Sequence, residues 1–221
     1  VAHGAVRNYV MGERGRTNQA ATEADLKQMG VVAECPKCGC QNGDYLKCPQ
    51  CRFPLMLVAG KYRLESELAE GGMGQVYLAQ HIHLDYDTER VIKVIKPEVF
   101  KSPNMDKRFR REVQVTAALS QRNEHIVRIY DDFGDEKGLG HFYVMEHLQG
   151  KPLTDIMPRD FGMPEHVALH IFYQICKALY PAHQKKIVHR DLKPDNIFLV
   201  EREEHQHFVK IIDFGIARPE E

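Results

Sequence analysis

The chain has 221 residues, of which 43% are hydrophobic and 28% charged, a composition typical of a folded globular protein. Its 30 Lys and Arg residues nearly balance its 31 Asp and Glu residues, and the net charge of −1 excludes a nucleic-acid coat protein and an acidic disordered tail. No apolar run approaches the roughly 20 residues of a membrane span, and the N-terminal residues lack the pattern of a secretory signal, so we expect a soluble, cytoplasmic protein.

The elements predicted in chain order are those of an α+β protein. Residues 1–33 have little periodicity and predict a flexible segment. From residue 61 onwards, alternating and β-branched residues predict strands, and apolar residues four apart predict helices. The expected elements are strands over 62–68, 75–80 and 90–95, a helix over 106–119, strands over 126–131 and 141–146, a long helix that opens at Pro164, and a strand over 209–212.

Four of the six cysteines form two CxxC pairs, Cys35 with Cys38 and Cys48 with Cys51. Two such turns supply the tetrahedral set of four thiolates that Zn²⁺ prefers, which predicts a zinc ribbon with a structural ion. Cys40 is a spare thiol that could replace Cys38. Two disulfides are the first alternative, disfavoured because the chain looks cytosolic. Redox chemistry is the second, disfavoured because there are two pairs and no thioredoxin-like unit.

A Gly-rich turn lies between the first two predicted strands. Gly71, Gly72 and Gly74 let backbone N–H groups approach a phosphate without interference from a Cβ atom. Taken alone, such a turn is more often an ordinary hairpin, and a lysine in a strand is usually a surface residue. Lys93 in the third strand and Glu112 in the helix favour the phosphate site, because the glutamate can hold the lysine against nucleotide phosphates.

The segment HRDLKPDN over residues 189–196 matches a kinase catalytic loop at every fixed position, and Asp213-Phe214-Gly215 follows it. With the Gly-rich turn, Lys93 and Glu112, these motifs occur in the order found in protein kinases. The chain is therefore identified as resembling the protein kinase family over residues 61–221. The segments EGGMGQVY, HRDLKPDNIFL and DFGIAR resemble those of the bacterial branch of the serine/threonine kinases.

The resemblance implies a protein-kinase-like fold, with an antiparallel five-stranded N-terminal lobe and the start of a helical C-terminal lobe. It implies that Asp191 accepts the proton of the substrate hydroxyl and that Lys193 steadies the transferring phosphate. Asn196 and Asp213 would hold the Mg²⁺ that accompanies ATP. A lysine at position 193 resembles the serine/threonine class rather than the tyrosine class.

The resemblance also implies where ATP binds. Met145 would lie at the back of the adenine pocket, and backbone groups of Glu146 and Leu148 would bond adenine. Four side chains would sandwich the ring, namely Leu68, Val76, Val91 and Phe198. The other implied ATP-binding residues are Ala69, Glu70, Gly71, Gly72, Met73, Gly74, Gln75, Lys93 and Glu112.

Four positions depart from the family pattern. Ala69 replaces the first glycine of the turn, and Val91 stands where alanine is usual. Pro181 falls late in the long helix, where it removes a backbone donor. Lys186 takes a position where glycine is frequent and where a positive φ is expected.

These observations predict a flexible segment over 1–33, a zinc ribbon over 34–54 and a kinase domain over 61–221 that is incomplete at its C-terminus. The expected function is transfer of the ATP γ-phosphate to Ser/Thr hydroxyls of a protein substrate, with the fragment itself inactive. A nucleotide-binding pseudokinase or scaffold is the alternative. A nucleic-acid-binding zinc protein is disfavoured because the ribbon has few basic residues and little aromatic interleaving. The expectation leaves room for a membrane anchor beyond residue 221.

Overall fold

The computed structural model describes residues 34–41, 47–72, 74–100, 105–136, 138–157, 162–202 and 205–214. Three sets of predictions lie outside the described residues: the segment 1–33, Met73 of the Gly-rich turn and Gly215 after Phe214. The side chain of Glu112 also lies outside them, so its expected contact with Lys93 stays a prediction.

A six-stranded antiparallel sheet forms the first half of the fold. Its strands are β1 (Leu57–Val58), β2 (Tyr62–Glu70), β3 (Gly74–His81), β4 (Glu89–Ile95), β5 (Ile129–Glu136) and β6 (Gly140–Glu146), arranged in space as β1-β2-β3-β4-β6-β5. The five strands expected in the domain over 61–221 are β2 to β6, and β1 adds a sixth from residues before that domain, where Leu57 and Val58 pair with Arg63 and Tyr62 at the edge of β2. A strand of two residues is too short to show an alternating pattern.

Helix α1 (Met105–Ser120) connects β4 to β5 and packs against the large sheet, so it belongs to the first half. The second half contains α2 (Leu153–Ile156) and α3 (Glu165–Gln184), with a small sheet of β7 (Gly150–Pro152), β8 (Ile197–Arg202) and β9 (His205–Ile211) in that order. Short 3₁₀ turns occupy Pro97–Val99 and Pro194–Asn196. The strand expected over 126–131 begins only at Ile129, because Ile126 instead makes an isolated parallel bridge to Ile211.

The two faces of the large sheet carry different cores. On β4, Val91 and Ile95 face α1, whereas Ile92 and Val94 face the opposite side. The α1 face holds the apolar stripe that the sequence predicts on this helix, at Phe109, Val113 and Ala117. The opposite face is the outer face of the sheet, and here the cysteine segment packs.

The cysteine segment and the outer face of the sheet form one continuous core. Cys35 and Cys48 are buried in the same cluster as Phe53, Leu55 and Val58. The strand residues of this cluster are Tyr62, Leu64, Tyr77, Ala79, Ile92, Val94, Phe142 and Val144. Burying each large apolar side chain contributes about 1.5–3 kcal/mol, so the segment that follows the cysteines is anchored to the sheet.

Helix α3 packs one face against the small sheet. Its buried residues include Ile171, Ile175, Ala178 and Ala182, and they meet Ile197, Leu199, Val209 and Ile211 of β8 and β9. The opposite side of α3 exposes the large apolar residues Leu169, Phe172, Tyr173 and Tyr180. Within the described ranges, we find no helix with the length and apolar character needed to cross a membrane.

Pro181 lies inside α3 and is compensated by Asn123. Because proline has no N–H, the carbonyl oxygen of Lys177 one turn earlier loses its helical donor. The side-chain amide Nδ2 of Asn123 lies 3.3 Å from that oxygen and 3.0 Å from the carbonyl oxygen of Ala178. Just after the helix, Lys186 has the positive φ that the sequence predicts, 59°, at a cost of about 1 kcal/mol for a residue with a Cβ atom.

Candidate active site

Lys93 lies at the centre of the large sheet on the face that carries α1. It pairs in register with Val76 of β3 and with Tyr143 of β6. Its Nζ atom lies 2.6 Å from Oδ2 of Asp213, and only 12% of the lysine side chain is exposed. A charge with so little access to water needs an opposite charge beside it, and Asp213 supplies one.

Both carboxylate oxygens of Asp213 are held. Oδ2 meets Lys93, while Oδ1 accepts a hydrogen bond of 3.0 Å from the hydroxyl group of Tyr143. Burial, and then the charge of Asp213, raise the pKa of Tyr143 well above its ordinary value, so the hydroxyl remains a donor. Asp213 itself has a φ of 56°, in the left-handed region that non-glycine residues rarely adopt and that is frequent at functional sites.

The catalytic loop brings Asp191, Lys193 and Asn196 together. The 3₁₀ turn over Pro194–Asn196 folds the chain back, so that Nδ2 of Asn196 donates to the carbonyl oxygen of Asp191 at 2.7 Å and to its Oδ2 at 3.2 Å. Nζ of Lys193 lies 3.7 Å from the same Oδ2. The Asp191 carboxylate is therefore oriented by an amide donor and lies beside a cation.

His189 joins the catalytic loop to the segment that carries Asp213. Its Nδ1 accepts the backbone N–H of Asp191 at 3.3 Å, which leaves Nε2 to donate to the carbonyl oxygen of Ile212 at 2.9 Å. Its ring also packs against Phe214, with centroids 4.6 Å apart. The backbone N–H of Ile212 donates to the carbonyl oxygen of Asn196 at 3.0 Å, which makes a second link between the segments.

The Gly-rich turn is closed by a hydrogen bond of 2.9 Å from the N–H of Gly71 to the carbonyl oxygen of Gly74. A Cβ atom at Gly74 would lie 2.0 Å from the carbonyl oxygen of Val94, so close contact with β4 requires glycine there. Among the described residues, nothing lies within 4 Å of where the Cβ atoms of Gly71 and Gly72 would be. The open space leaves room for a ligand at these two glycines but not at Gly74.

Only some of the residues expected around adenine lie in one cluster. Val91 and Met145 are buried in one apolar cluster, and Val76 and Leu148 pack against it. Leu68 and Phe198 do not belong to that cluster, and Leu68 is 49% exposed. The backbone N–H of Glu146 donates to the carbonyl oxygen of Arg128 at 2.9 Å, so it is not free for a nucleotide.

Sequence reasoning did not single out two residues of this region. Tyr143 falls in the strand predicted over 141–146, and its hydroxyl donates to Asp213. Lys210 is buried on β9, and its ammonium group meets Oε1 of Glu146, which also accepts the N–H of Arg128 at 2.7 Å. A signal for Lys210 was available, because it is a lysine inside an apolar strand, the feature that drew attention to Lys93.

The four cysteines of the CxxC pairs converge. Their sulfur atoms all lie within 4.8 Å of one another, with Cys35 to Cys51 at 3.5 Å and Cys38 to Cys48 at 3.6 Å. Tetrahedral ligands at the usual Zn–S length stand about 3.8 Å apart, so the set fits Zn²⁺. In the described residues the cysteines are free thiols, and the sulfur of Cys40 instead lies 3.5 Å from the carbonyl oxygen of Gln41.

The two cysteine turns have the same backbone geometry. In the first turn, the backbone N–H of Cys35 donates to the carbonyl oxygen of Cys40, and the carbonyl oxygen of Cys35 accepts from the N–H of Gly39. In the second turn, the N–H of Cys48 donates to the carbonyl oxygen of Phe53, and the carbonyl oxygen of Cys48 accepts from the N–H of Arg52. All four distances are 2.8–3.0 Å. Gly39 and Arg52 occupy equivalent places, with φ values of 69° and 64°. Backbone N–H bonding, from Cys51 first, lowers the pKa of the Cys48 thiol to about 6, whereas burial raises the pKa of the Cys51 thiol, so the thiolate form is favoured at Cys48 rather than at Cys51.

Comparisons with known proteins agree with the kinase motifs. The family model described as the protein kinase domain matches residues 62–221. The chain therefore belongs to the protein kinase family. The match begins after the cysteine segment, which it leaves unassigned.

The relatives are bacterial serine/threonine kinases. Serine/threonine-protein kinase pkn3 of Myxococcus xanthus is 36% identical over 161 residues, which are 73% of this chain and 28% of that protein. Serine/threonine-protein kinase PknB of Mycobacterium leprae is 39% identical over 163 residues, 73% of this chain and 25% of that protein. A double mutant of the Mycobacterium tuberculosis PknI kinase domain has a TM-score of 0.62 and 29% identity, covering 72% of this chain and 60% of that one. The chain thus spans about a quarter of the length of these two curated relatives.

Proposed function

We propose that this chain carries the nucleotide-binding and catalytic-loop part of a serine/threonine protein kinase, which transfers the γ-phosphate of ATP to Ser/Thr hydroxyls of a protein substrate. One observation carries the proposal most directly. The Lys93–Asp213 pair, at 2.6 Å, is linked through His189 and Ile212 to a loop in which Asn196 and Lys193 surround Asp191.

The pair between Lys93 and Asp213 is suited to an exchange of partners when a nucleotide binds. The Lys93 ammonium would turn to the phosphates, and the Asp213 carboxylate would turn to a cation, so each charge remains compensated. A carboxylate from Asp213 and an amide oxygen from Asn196 are the hard oxygen ligands that Mg²⁺ prefers. When bound there, Mg²⁺ would supply positive charge that offsets the negative charge of the phosphates during transfer.

Asp191 is the group that would handle the proton. Its carboxylate would orient the substrate hydroxyl and accept its proton as the oxygen attacks the γ-phosphorus, while the bond from that phosphorus to the bridging β-phosphate oxygen breaks and ADP leaves. The amide Nδ2 of Asn196 holds this carboxylate in one orientation, and the Lys193 ammonium beside it would offset negative charge on the transferring group. Val76, Val91, Met145 and Leu148 would then exclude water from the adenine side.

The test of this proposal is Asp191→Asn in the full-length protein. We expect ATP binding to persist, because Lys93 and Asp213 are intact, and phosphate transfer to fall by about 10²–10⁴-fold, since an amide cannot accept the hydroxyl proton. Radiolabelled-phosphate transfer to a generic Ser/Thr substrate, beside a nucleotide titration, measures both effects.

Asp195→Asn is the matched control for Asp191→Asn. It makes the same change on an exposed residue of the same loop and should leave transfer near the wild-type rate. Unchanged transfer in Asp191→Asn would remove Asp191 as the base. A wild type that binds ATP but transfers nothing would favour a nucleotide-binding scaffold.

We also propose that Cys35, Cys38, Cys48 and Cys51 hold one structural Zn²⁺, which forms a short ribbon over residues 34–54. The sulfur spacing and the two matched backbone turns support it. The ion would supply cross-linking of the two turns and no chemistry at the phosphate site. A site of reduced thiolates is compatible with a cytoplasmic location.

Elemental analysis of the purified protein tests the zinc site. We expect about one zinc per chain, because a single tetrahedral ion uses all four thiolates. Cys48→Ser should lose the metal, whereas Cys40→Ser, which changes the neighbouring spare thiol, should keep it. Metal-free wild-type protein with oxidised cysteines would contradict the proposal.

A further inference from the structure

The cysteine segment contacts β2, the strand that leads into the Gly-rich turn. Lys37 lies between Cys35 and Cys38, and its Nζ is 2.7 Å from Oε2 of Glu67. Glu67 stands three residues before the end of β2, where the pairing of β2 with β3 shifts between Glu67 and Ala69. The backbone ladder is irregular at this point, so a side-chain anchor has more to contribute than it would in a regular stretch.

A second contact reaches β3, the strand that leaves the turn. The rings of Phe53 and Tyr77 meet edge to face, with centroids 5.8 Å apart and an angle of 83°. The hydroxyl of Tyr77 in turn donates to Oε1 of Gln75 at 3.0 Å. Gln75 directly follows Gly74, so the segment after the second cysteine turn is connected to the far end of the Gly-rich turn as well.

Among the described residues, few contacts support the turn ahead of the point where Gly74 packs against β4. No described atom lies within 4 Å of where a Cβ atom of Gly71 or Gly72 would be, and the described contacts of the turn include one backbone bond and an exposed ion pair of 3.1 Å between Glu70 and Lys96. A turn with few neighbours takes its position from the strands on either side. Those strands are the ones that Lys37 and Phe53 contact.

We infer that Lys37 is a positioning residue for the nucleotide site, and that the cysteine segment holds the Gly-rich turn ready for ATP through the Lys37–Glu67 pair. The inference rests on the proposed kinase function and on the proposed zinc site. A turn already in place does not have to be ordered when ATP binds, so the anchor lowers the entropic cost of binding. Among the contacts that the structure describes, Asp191 and Asn196 have no partner in common with Lys37 or Glu67, so we expect the rate of the chemical step to be unchanged when the pair is broken.

The expected size follows from the exposure of the pair. Lys37 is 46% exposed and Glu67 is 19% exposed, which places the pair between a solvated ion pair and a buried one. Pairs of this kind change an equilibrium by about two- to fivefold. The loss of Lys37 should therefore raise the KM for ATP by about that factor and leave kcat and the KM for the protein substrate unchanged.

The experiment compares four variants of the full-length protein. Lys37→Met removes the charge but keeps most of the side-chain length, Lys37→Arg keeps the charge, and the double variant Lys37→Glu with Glu67→Lys reverses the pair. Arg63→Met is the matched control, because Arg63 is an exposed cation on the same strand that lies beside Glu65 rather than the cysteine segment. Zinc content, thermal unfolding, ATP affinity and the two KM values are measured for each variant.

We expect weaker ATP binding in Lys37→Met only. Lys37→Arg and the reversed pair should bind ATP as the wild type does, and the zinc content should be the same in all variants. Equal ATP affinity in Lys37→Met and Arg63→Met would overturn it. The reversed pair is decisive, because a residue needed only for folding or for the metal turn would not be rescued by exchanging the charges.

Removal of zinc separates this inference from the proposals beneath it. After chelation and return to buffer with Mg²⁺, the zinc-free wild type should bind ATP at least as weakly as zinc-loaded Lys37→Met does. Zinc-free Lys37→Met should bind ATP with the same affinity as the zinc-free wild type. Full ATP affinity in the zinc-free wild type would overturn the link between the cysteine segment and the turn while leaving the kinase proposal intact. A wild type that binds no ATP before chelation overturns the proposed function, and the inference with it.

Discussion

Two lysines with little exposure, Lys93 and Lys210, show how single charges organise this molecule. Each has apolar neighbours on both sides in its strand, and each ammonium group meets a carboxylate, Asp213 for Lys93 and Glu146 for Lys210. Because an unpaired buried charge costs several kcal/mol, each pair ties its two segments together. Lys210 thereby joins β9 to the end of β6, and Lys93 joins β4 to the segment after β9.

Tyr143→Phe should weaken the hold on Asp213 without changing the volume of the core. The hydroxyl donates to a charged acceptor, so its removal should lower the free energy of unfolding by about 1–2 kcal/mol and raise the KM for Mg-ATP severalfold. Denaturant unfolding and a nucleotide titration measure these changes. Tyr86→Phe, at a side chain that is 88% exposed, should change neither.

The contribution of Tyr143 also has a predicted pH dependence. Its pKa in the folded state is raised, by burial first and then by Asp213, so the contribution is complete below the unfolded pKa of about 10 and is lost as the pH rises above it. The difference between wild type and Tyr143→Phe should therefore be constant from pH 6 to pH 9. A difference that fell steadily across this interval would show that another group controls the contact.

The sequence predicts which residues carry the chemical groups of the site better than it predicts which other side chains those residues contact. A motif such as HRDLKPDN names Asp191, Lys193 and Asn196 because residue type and spacing are local features. The contact of Tyr143 with Asp213 depends on the register that places Tyr143 of β6 beside Lys93 of β4, and on how the segment after β9 packs against them. One sequence determines neither. Lys37–Glu67 is of the same kind, since the two residues meet only after the cysteine segment has packed on the sheet.

At the scale of elements, long periodic segments are predictable and short ones are not. Helix α1 and strands β2, β3, β4 and β6 lie within a few residues of the expected bounds. Strands β1 and β7 and helix α2 have two to four residues each and show no period that a sequence pattern could reveal. Their formation depends on edges that neighbouring strands present, as β2 does for β1.

Helix α3 yields a prediction about its proline. Asn123 donates to two carbonyl oxygens near Pro181, so Asn123→Ala should lower the free energy of unfolding by about 1–2 kcal/mol. In a Pro181→Ala background the restored N–H can serve Lys177 itself, and the same substitution should then cost less. Urea unfolding of the four proteins gives the coupling. Additive effects of the two substitutions would show that Asn123 does not compensate for the proline.

The whole molecule unites two parts that the sequence suggests separately. Motif and spacing predict a ribbon and a kinase lobe, but they do not predict that Cys35 and Cys48 share a core with Ile92 and Val144. In the sequence, the outer face of the sheet is visible only as apolar residues at alternate positions of the strands. That pattern indicates that the face is buried, but it does not indicate which segment buries it. Residues 53–58 provide the cover nearest the cysteines and add β1 to the edge of the sheet.

Limited proteolysis tests whether this shared core behaves as one unit. A protease cuts segments that open locally, and local opening is rare where backbone and side chains are buried. Phe53, Leu55, Met56 and Val58 are all at most 3% exposed, so cleavage between Cys51 and Lys61 should be slower than cleavage before Cys35. Chelation should speed cleavage between Cys51 and Lys61, because loss of the proposed metal would free the two cysteine turns beside this segment. Faster cleavage at residues 52–60 in the zinc-loaded protein would instead mean that the ribbon and the kinase lobe are loosely tethered.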